Sequence, residues 1–251
     1  GLPPGLPHGD PGLYAREAAH WAHAYITGPN DAADTLNLYD VSGLAHFELY
    51  RVLARAEDLG PLEVSPGDLL ADLQKQMANA LAQGAADPFG FGFPWNTSDT
   101  ATHGAGLSVM GAEIAFLTHE DTPLRDGRRW MANILGANAW GASFIVGDGA
   151  TFPDCMQHQV ANIVGSLDGR PPLLKGALVE GPNSSGARGR LTGMRTCPKG
   201  KSDKYAPFDG NGAVFVDNVQ SFVTVEPAID LTAPSLLMWA WGIAGAPTSG
   251  E

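Results

Sequence analysis

Glu226 stands directly before Pro227 in the string SFVTVEPAID, residues 221–230. Proline favours the first position of a helix, which places Glu226 at the N-cap, on the rim of a helix end. Glutamate caps less well than Asp, Ser or Asn, and general acid catalysis is one reason to find it there. The helix dipole favours the ionised carboxylate. A proton donor at this position therefore requires burial or a second carboxylate to raise its proton affinity. His158 lies between Gln157 and Gln159 in FPDCMQHQVANIVG, residues 152–165. Imidazole and amide groups together suit sugar hydroxyls, whereas the alternative is a hydrogen-bonded structural histidine. The loop FGFGFPWN, residues 89–96, sets three phenylalanines beside Trp95. Such rings stack on the apolar faces of sugars or fold back into the core. Asp31 and Asp34, in DAAD, have the types of a base and a metal ligand, but a capping turn before a helix explains them more simply.

The elements that must position these residues are helical in the first two-thirds of the chain. Asp10-Pro11 opens a helix that carries residues 14–26 and stops near Gly28-Pro29. Ala45, Leu49, Val52, Leu53 and Ala56 give helical spacing to a second, over residues 40–59. Ser65-Pro66 caps a third, with a buried stripe of Leu69, Leu73, Met77 and Leu81 and an end at Gly84. A fourth carries Leu107, Met110, Ile114 and Leu117; a fifth follows Thr122-Pro123 and carries Leu124, Met131, Ile134 and Leu135. The last begins at Pro227, with Ile229, Ala233, Leu236 and Ala240 on one face. Loops of alternating length predict an all-α fold of helical hairpins packed side by side. The stretches 87–103, 136–157 and 165–225 are too long for simple connections and are where function is expected.

Composition narrows the partners. The 251 residues carry 15 basic and 27 acidic side chains, a net charge of −12. That balance argues against a phosphate-neutralising nucleic-acid binder and against an anionic membrane surface. Hydrophobic residues at 44% supply a sizeable core, and 32 glycines with 19 prolines fit long irregular loops. The longest apolar run, residues 236–246, is too short to span a bilayer and reads as a buried helix. The opening residues carry no signal-peptide pattern. Cys155 and Cys197 leave two states open, one disulfide or two thiols.

Several strings, taken together, resemble the C-terminal half of family 9 glycoside hydrolases, the cellulase family built on a barrel of six helical hairpins. NILGANAWGASFIVGDG, residues 133–149, is similar to that family's Leu-Leu-Gly-x-Asn-x-x-Gly-x-Ser-(aromatic)-Val-x-Gly stretch. GALVEGPNS, residues 176–184, resembles its Gly-Ala-Leu-Val-x-Gly-Pro segment. VDNVQSFVTVEPAID, residues 216–230, resembles the segment around its catalytic acid. Order and spacing agree, and the similarity runs back through LYDVSGLAHFELYR, residues 38–51, to cover nearly the whole chain.

The resemblance implies part of an (α/α)6 barrel, with residues 1–251 as the C-terminal half of a catalytic domain. It implies that Glu226 is the general acid and that Gln157, His158, Trp95 and Phe222 bind substrate. The family's Pro-His-His-Arg reads Gln157-His158-Gln159-Val160 here, so the arginine's contact falls to another residue such as Arg195. Val225 replaces an asparagine next to the acid. Asp40 matches an aspartate that helps bind calcium in some members, but its usual glutamate neighbour is Val41, so neither calcium nor any other cofactor is expected. The family's base belongs to an Asp-Ala-Gly-Asp motif in the N-terminal half. DAAD precedes the Asp40 helix, out of register with that motif, and is read as a decoy. The expectation is therefore an inverting β-1,4-glucanase, secreted, acting on a β-glucan polysaccharide or oligosaccharide. Its base comes from the N-terminal half of the same barrel, the chain being one piece of a longer polypeptide. A rival from another class is a non-catalytic glycan-binding protein on the same scaffold; a helical interaction module without sugar affinity leaves the aromatic loops unexplained.

Overall fold

In the computed structural model of the protein, the residues described are 10–29, 36–57, 59–93, 95, 98–158, 174–189, 193–200 and 202–245. Asp31, Asp34, Gln159 and Val160 lie outside them. Local rules set the first helices. Asp10 caps α1 (Pro11–Ile26), its carboxylate accepting the Gly12 N–H at 2.9 Å. α2 (Ser42–Leu53) stops short of residue 59, because the chain turns at Ala54 and runs on irregularly to Ser65. Of the five residues that gave it helical spacing, Leu49 and Leu53 are buried beside His46 and Phe47, while Ala45, Val52 and Ala56 are exposed. Phe47 has the largest apolar area to hide, and it meets Phe116 and Trp241 edge to face. Ser65 and Asp68 close a reciprocal capping box over α3 (Pro66–Ala85), which buries Leu69, Leu73 and Met77 as the spacing predicts.

α4 (Thr100–Thr118) is the centre of the molecule, and every residue from Thr100 to Ala115 is buried. It packs against α5 (Asp121–Ile134), which starts two residues before Pro123, and also against α2, α3 and the last helix. The α4–α5 contact depends on glycine. A Cβ at Gly111 would lie 2.5 Å from the Pro123 carbonyl oxygen, and one at Gly127 would lie 2.8 Å from that of Ser108. The two backbones therefore touch, and only hydrogen side chains fit between them.

The loops after α5 extend the core of the helices with Trp140, Phe144, Tyr205 and Phe215, whose rings pack in tilted pairs. Isolated antiparallel bridges, Ile145 with Leu178 and Val179 with Pro227, lace residues 144–146, 177–181 and 224–227 into a short ladder. A single turn, α6 (Phe222–Val225), precedes the last helix, α7 (Ile229–Ala244). The face of α7 that carries Ile229, Ala233, Leu236 and Ala240 is the exposed one. Leu231, Pro234 and Met238 are buried, whereas Ile229 is 92% exposed, Leu236 66% and Ile243 85%. The apolar run from Leu236 is expected to be buried, but of its described residues Met238 is buried while Leu236, Leu237 and Ile243 are exposed. Among the described residues, no helix is long and apolar enough to cross a membrane.

Candidate active site

Pro227 does not begin a helix. It pairs with Val179 in the ladder, and Ala228 precedes the first turn of α7. Glu226 is consequently the C-cap of α6, with extended φ −77° and ψ 122°, the conformation imposed on a residue before proline. The N-cap expectation is thus overturned, and with it the expected pull of a helix N-terminus toward the carboxylate. What acts on Glu226 instead raises its proton affinity. Its carboxyl is half-buried and titrates above the usual carboxylate range, through burial first and then through the negative charges of Asp99 and Asp230.

Backbone hydrogen bonds fix Glu226 from two sides. Its N–H donates to the Phe222 carbonyl at 3.3 Å, and its own carbonyl accepts the Glu180 N–H at 3.0 Å. Gln157 joins the same ladder, donating its N–H to the Val225 carbonyl at 2.9 Å. His158, half-buried, lines a cleft of about 540 Å³ with Lys175, Pro227, Thr232 and Leu236. Phe222, at the other end of the α6 turn, is 41% exposed. Gln157 is thus tied through the ladder to the residue before Glu226, and His158 shares its cleft with Pro227, the residue after it. Trp95 stands apart from them. Its ring lies 4.6 Å from that of Phe91 and faces a smaller recess of about 210 Å³ with Phe89, Trp140 and Phe208. Arg195 donates to the Asp154 carbonyl at 3.3 Å, beside a disulfide between Cys155 and Cys197.

Sequence reading missed two buried acids beside Glu226. Asp99 precedes α4 in a left-handed conformation, φ 67°, and donates its N–H to Glu180 Oε2 at 2.8 Å. Burial pushes the Glu180 carboxyl up to about 9, aided by a hydrogen bond to Asp99 and by the charges of Asp99 and Glu226. Tyr39 adds an exposed phenol whose proton is held by the charge of Asp99 before any other cause, and which hydrogen-bonds that carboxylate. The one available signal was the variable position of GALVEGPNS, where an acid sits between two apolar neighbours and Gly-Pro. Asp40 has local partners, its two oxygens accepting from the Tyr25 hydroxyl and the Ser42 N–H. Among the described residues, no group of three or more His, Cys, Asp or Glu is arranged to hold a metal ion.

The family model for glycosyl hydrolase family 9 matches residues 42–239. Among solved structures, the chain is similar to the family 9 endoglucanase J30, with a TM-score of 0.62 and 21% identity over 90% of this chain and 38% of that one. It is also similar to the catalytic domain of CelT from Clostridium thermocellum, with a TM-score of 0.62 and 16% identity over 91% and 43% of the two chains. AaCel9A in complex with a cellobiose-like isofagomine gives 0.64 and 15% over 93% and 42%. The chain thus spans less than half the length of each of these structures. At such identities the likeness shows the fold, part of the (α/α)6 barrel. No curated protein matches the chain.

Proposed function

The chain belongs to glycosyl hydrolase family 9, and from that premise we propose that it forms part of an inverting hydrolase of β-1,4-glucosidic bonds in cellulose or related β-glucans. Glu226 is the acid. It protonates the leaving glycosidic oxygen, while a carboxylate on the opposite face, roughly 6.5–9.5 Å away, activates water. That base is supplied by the N-terminal half of the barrel, outside these residues. The observation that carries the reading is the environment of Glu226: a half-buried carboxyl whose proton affinity is raised by burial first and then by the charges of Asp99 and Asp230, the direction a general acid needs. Gln157, His158 and Phe222 bind the sugar nearest the acid, and Trp95 stacks on a more distant ring of the glycan.

Two further features support the wider reading. The exposed apolar face of α7, with Ile229, Leu236 and Ile243, is what remaining hairpins of a closed barrel would cover. The disulfide between Cys155 and Cys197 fits a secreted enzyme in an oxidising compartment. The test is hydrolysis of cello-oligosaccharides by the longest natural polypeptide containing these residues, with the first product anomer read by proton NMR. A first-formed α-anomer is expected, and a β-anomer overturns the inverting mechanism. Tight binding without hydrolysis overturns the enzyme in favour of a glycan-binding protein.

A further inference from the structure

Aromatic side chains from three distant segments meet in the recess of about 210 Å³ that Trp95 faces. Phe91 and Trp140 are buried there, as core packing explains, but Phe89 is 43% exposed and Phe208 55%. Both exposed rings stand on fixed loops. Asp87 Oδ1 accepts the Phe89 and Phe91 N–H groups at 2.9 and 3.2 Å, which locks the turn after α3. Asp209, next to Phe208, accepts the Trp140 indole N–H at 2.8 Å and the Phe215 N–H at 3.1 Å. Asn211 and Gly212 have φ of 51° and 77°, the left-handed pair that makes a tight two-residue hairpin, closed by the bridge between Gly210 and Ala213. From the tip of that hairpin Asn211 Nδ2 donates to Asp87 Oδ2 at 3.2 Å, across 124 residues. The recess thus sets ordered rings beside an amide and a carboxylate that can each form further hydrogen bonds.

Flat rings beside hydrogen-bonding groups suit a sugar, whose apolar faces stack on aromatics while its hydroxyls bond at the edge. An aliphatic ligand would strip water from Asp87 and Asn211 and put nothing in its place. The recess is also tied to the acid through the backbone. The Trp95 carbonyl accepts the Ser184 N–H at 2.8 Å, and in the same segment the Glu180 N–H donates to the Glu226 carbonyl at 3.0 Å. Chain from residue 180 to residue 184 spans at most about 13 Å, so a single glycan can occupy both places. We propose that the recess is a distal glycan subsite: a ring of the same β-glucan stacks on Phe89 and Phe208, beside Trp95 and Trp140, and its hydroxyls bond Asp87 and Asn211. The class of ligand rests on the proposed function. Because the rings are already held in place, little ordering is lost when the sugar enters.

The test is a titration of the full 251-residue chain with cellohexaose, followed by NMR through the tryptophan indole N–H signals. Those of Trp95 and Trp140 are assigned by their loss in Trp95→Phe and Trp140→Phe. Cellohexaose should shift both signals saturably. Phe208→Tyr keeps a ring and should leave the affinity within about twofold, whereas Phe208→Leu keeps apolar bulk without a ring and should weaken it by about five- to tenfold. Phe208 is exposed, so neither change strains the core; Phe89→Tyr and Phe89→Leu repeat the comparison from the other segment. Indole signals unmoved by millimolar cellohexaose overturn the proposal, as do equal affinities in the tyrosine and leucine variants at both positions. The titration reads binding alone. Its failure leaves Glu226 as the acid, whereas hydrolysis of glucan at the full rate by Glu226→Gln removes the acid without moving these signals.

Discussion

Glu180 and Glu226 are joined through the backbone, amide to carbonyl at 3.0 Å, while the Glu180 side chain reaches back across 81 residues to the amide of Asp99. The start of the central helix, the ladder and the acid therefore move as one unit. A carboxyl in a loop gains the rigidity of α4 without lying on it.

The burial of Glu180 makes stability depend on pH. Its folded-state proton affinity is raised from 4.5 to about 9, so its contribution is complete below the ordinary carboxyl range and is lost as pH rises through about 9. Each pH unit in that window costs at most about 1.4 kcal/mol, or about 2–6 °C in melting temperature for a chain of this size. Melting curves should show the natural chain weakening relative to Glu180→Gln between pH 5 and pH 9, as about 4.5 to 9 is the titration window. Parallel curves would contradict the protonated state.

His103 acts at the other end of the scale. It is buried, stacked on Phe93 with ring centroids 3.4 Å apart, and burial pushes it down to about 3. It is neutral in the fold and takes up a proton on unfolding once the pH is below the ordinary value of 6.5. Stability should therefore fall as pH drops from 6.5 toward about 3. His103→Gln should flatten that limb in an acid melting series; an unchanged slope would assign it to other groups.

The disulfide closes a loop of 42 residues, so reducing it should cost about 4 kcal/mol in the chain-entropy account. Melting with and without a phosphine reductant measures the loss. Asp217 accepts the N–H groups of Asp154 and Cys155 and so preserves part of the local shape after reduction. A loss below about 1 kcal/mol would mean that these contacts already define the loop.

On α7, Leu236→Asp replaces an exposed leucine and should change the stability of the isolated chain by less than about 0.5 kcal/mol. It should also reduce self-association of that chain in light scattering, because it interrupts an uncovered apolar face. In the longer polypeptide the same change should destabilise by several times more. Equal small effects in both would mean that nothing covers this face.

How far the sequence could be read depended on how local the signal was. α3 is legible because Ser65, Asp68 and the Leu69–Leu73–Met77 stripe all lie within four turns of one another. α7 misled because large apolar side chains occur on both its faces, Leu231 and Met238 buried and Ile229, Leu236 and Ile243 exposed, so periodicity could not choose the buried one. Glu226 was singled out through its motif, but its cap was misassigned, since Pro227 serves a bridge rather than a helix start. Asp99 and Glu180 were missed because only the folded chain brings them together. Trp95 was grouped with the acid by its type, while its packing on Phe91 gives it to a separate recess.

The most direct test of the central claim is the rate of cello-oligosaccharide hydrolysis by Glu226→Gln in the longest natural polypeptide that contains these residues, measured beside binding of the same sugar. Loss of about 100-fold or more in rate with binding retained is the predicted result, because glutamine keeps the shape but has no proton to give. Hydrolysis at the full rate would contradict the account and move the acid to another residue.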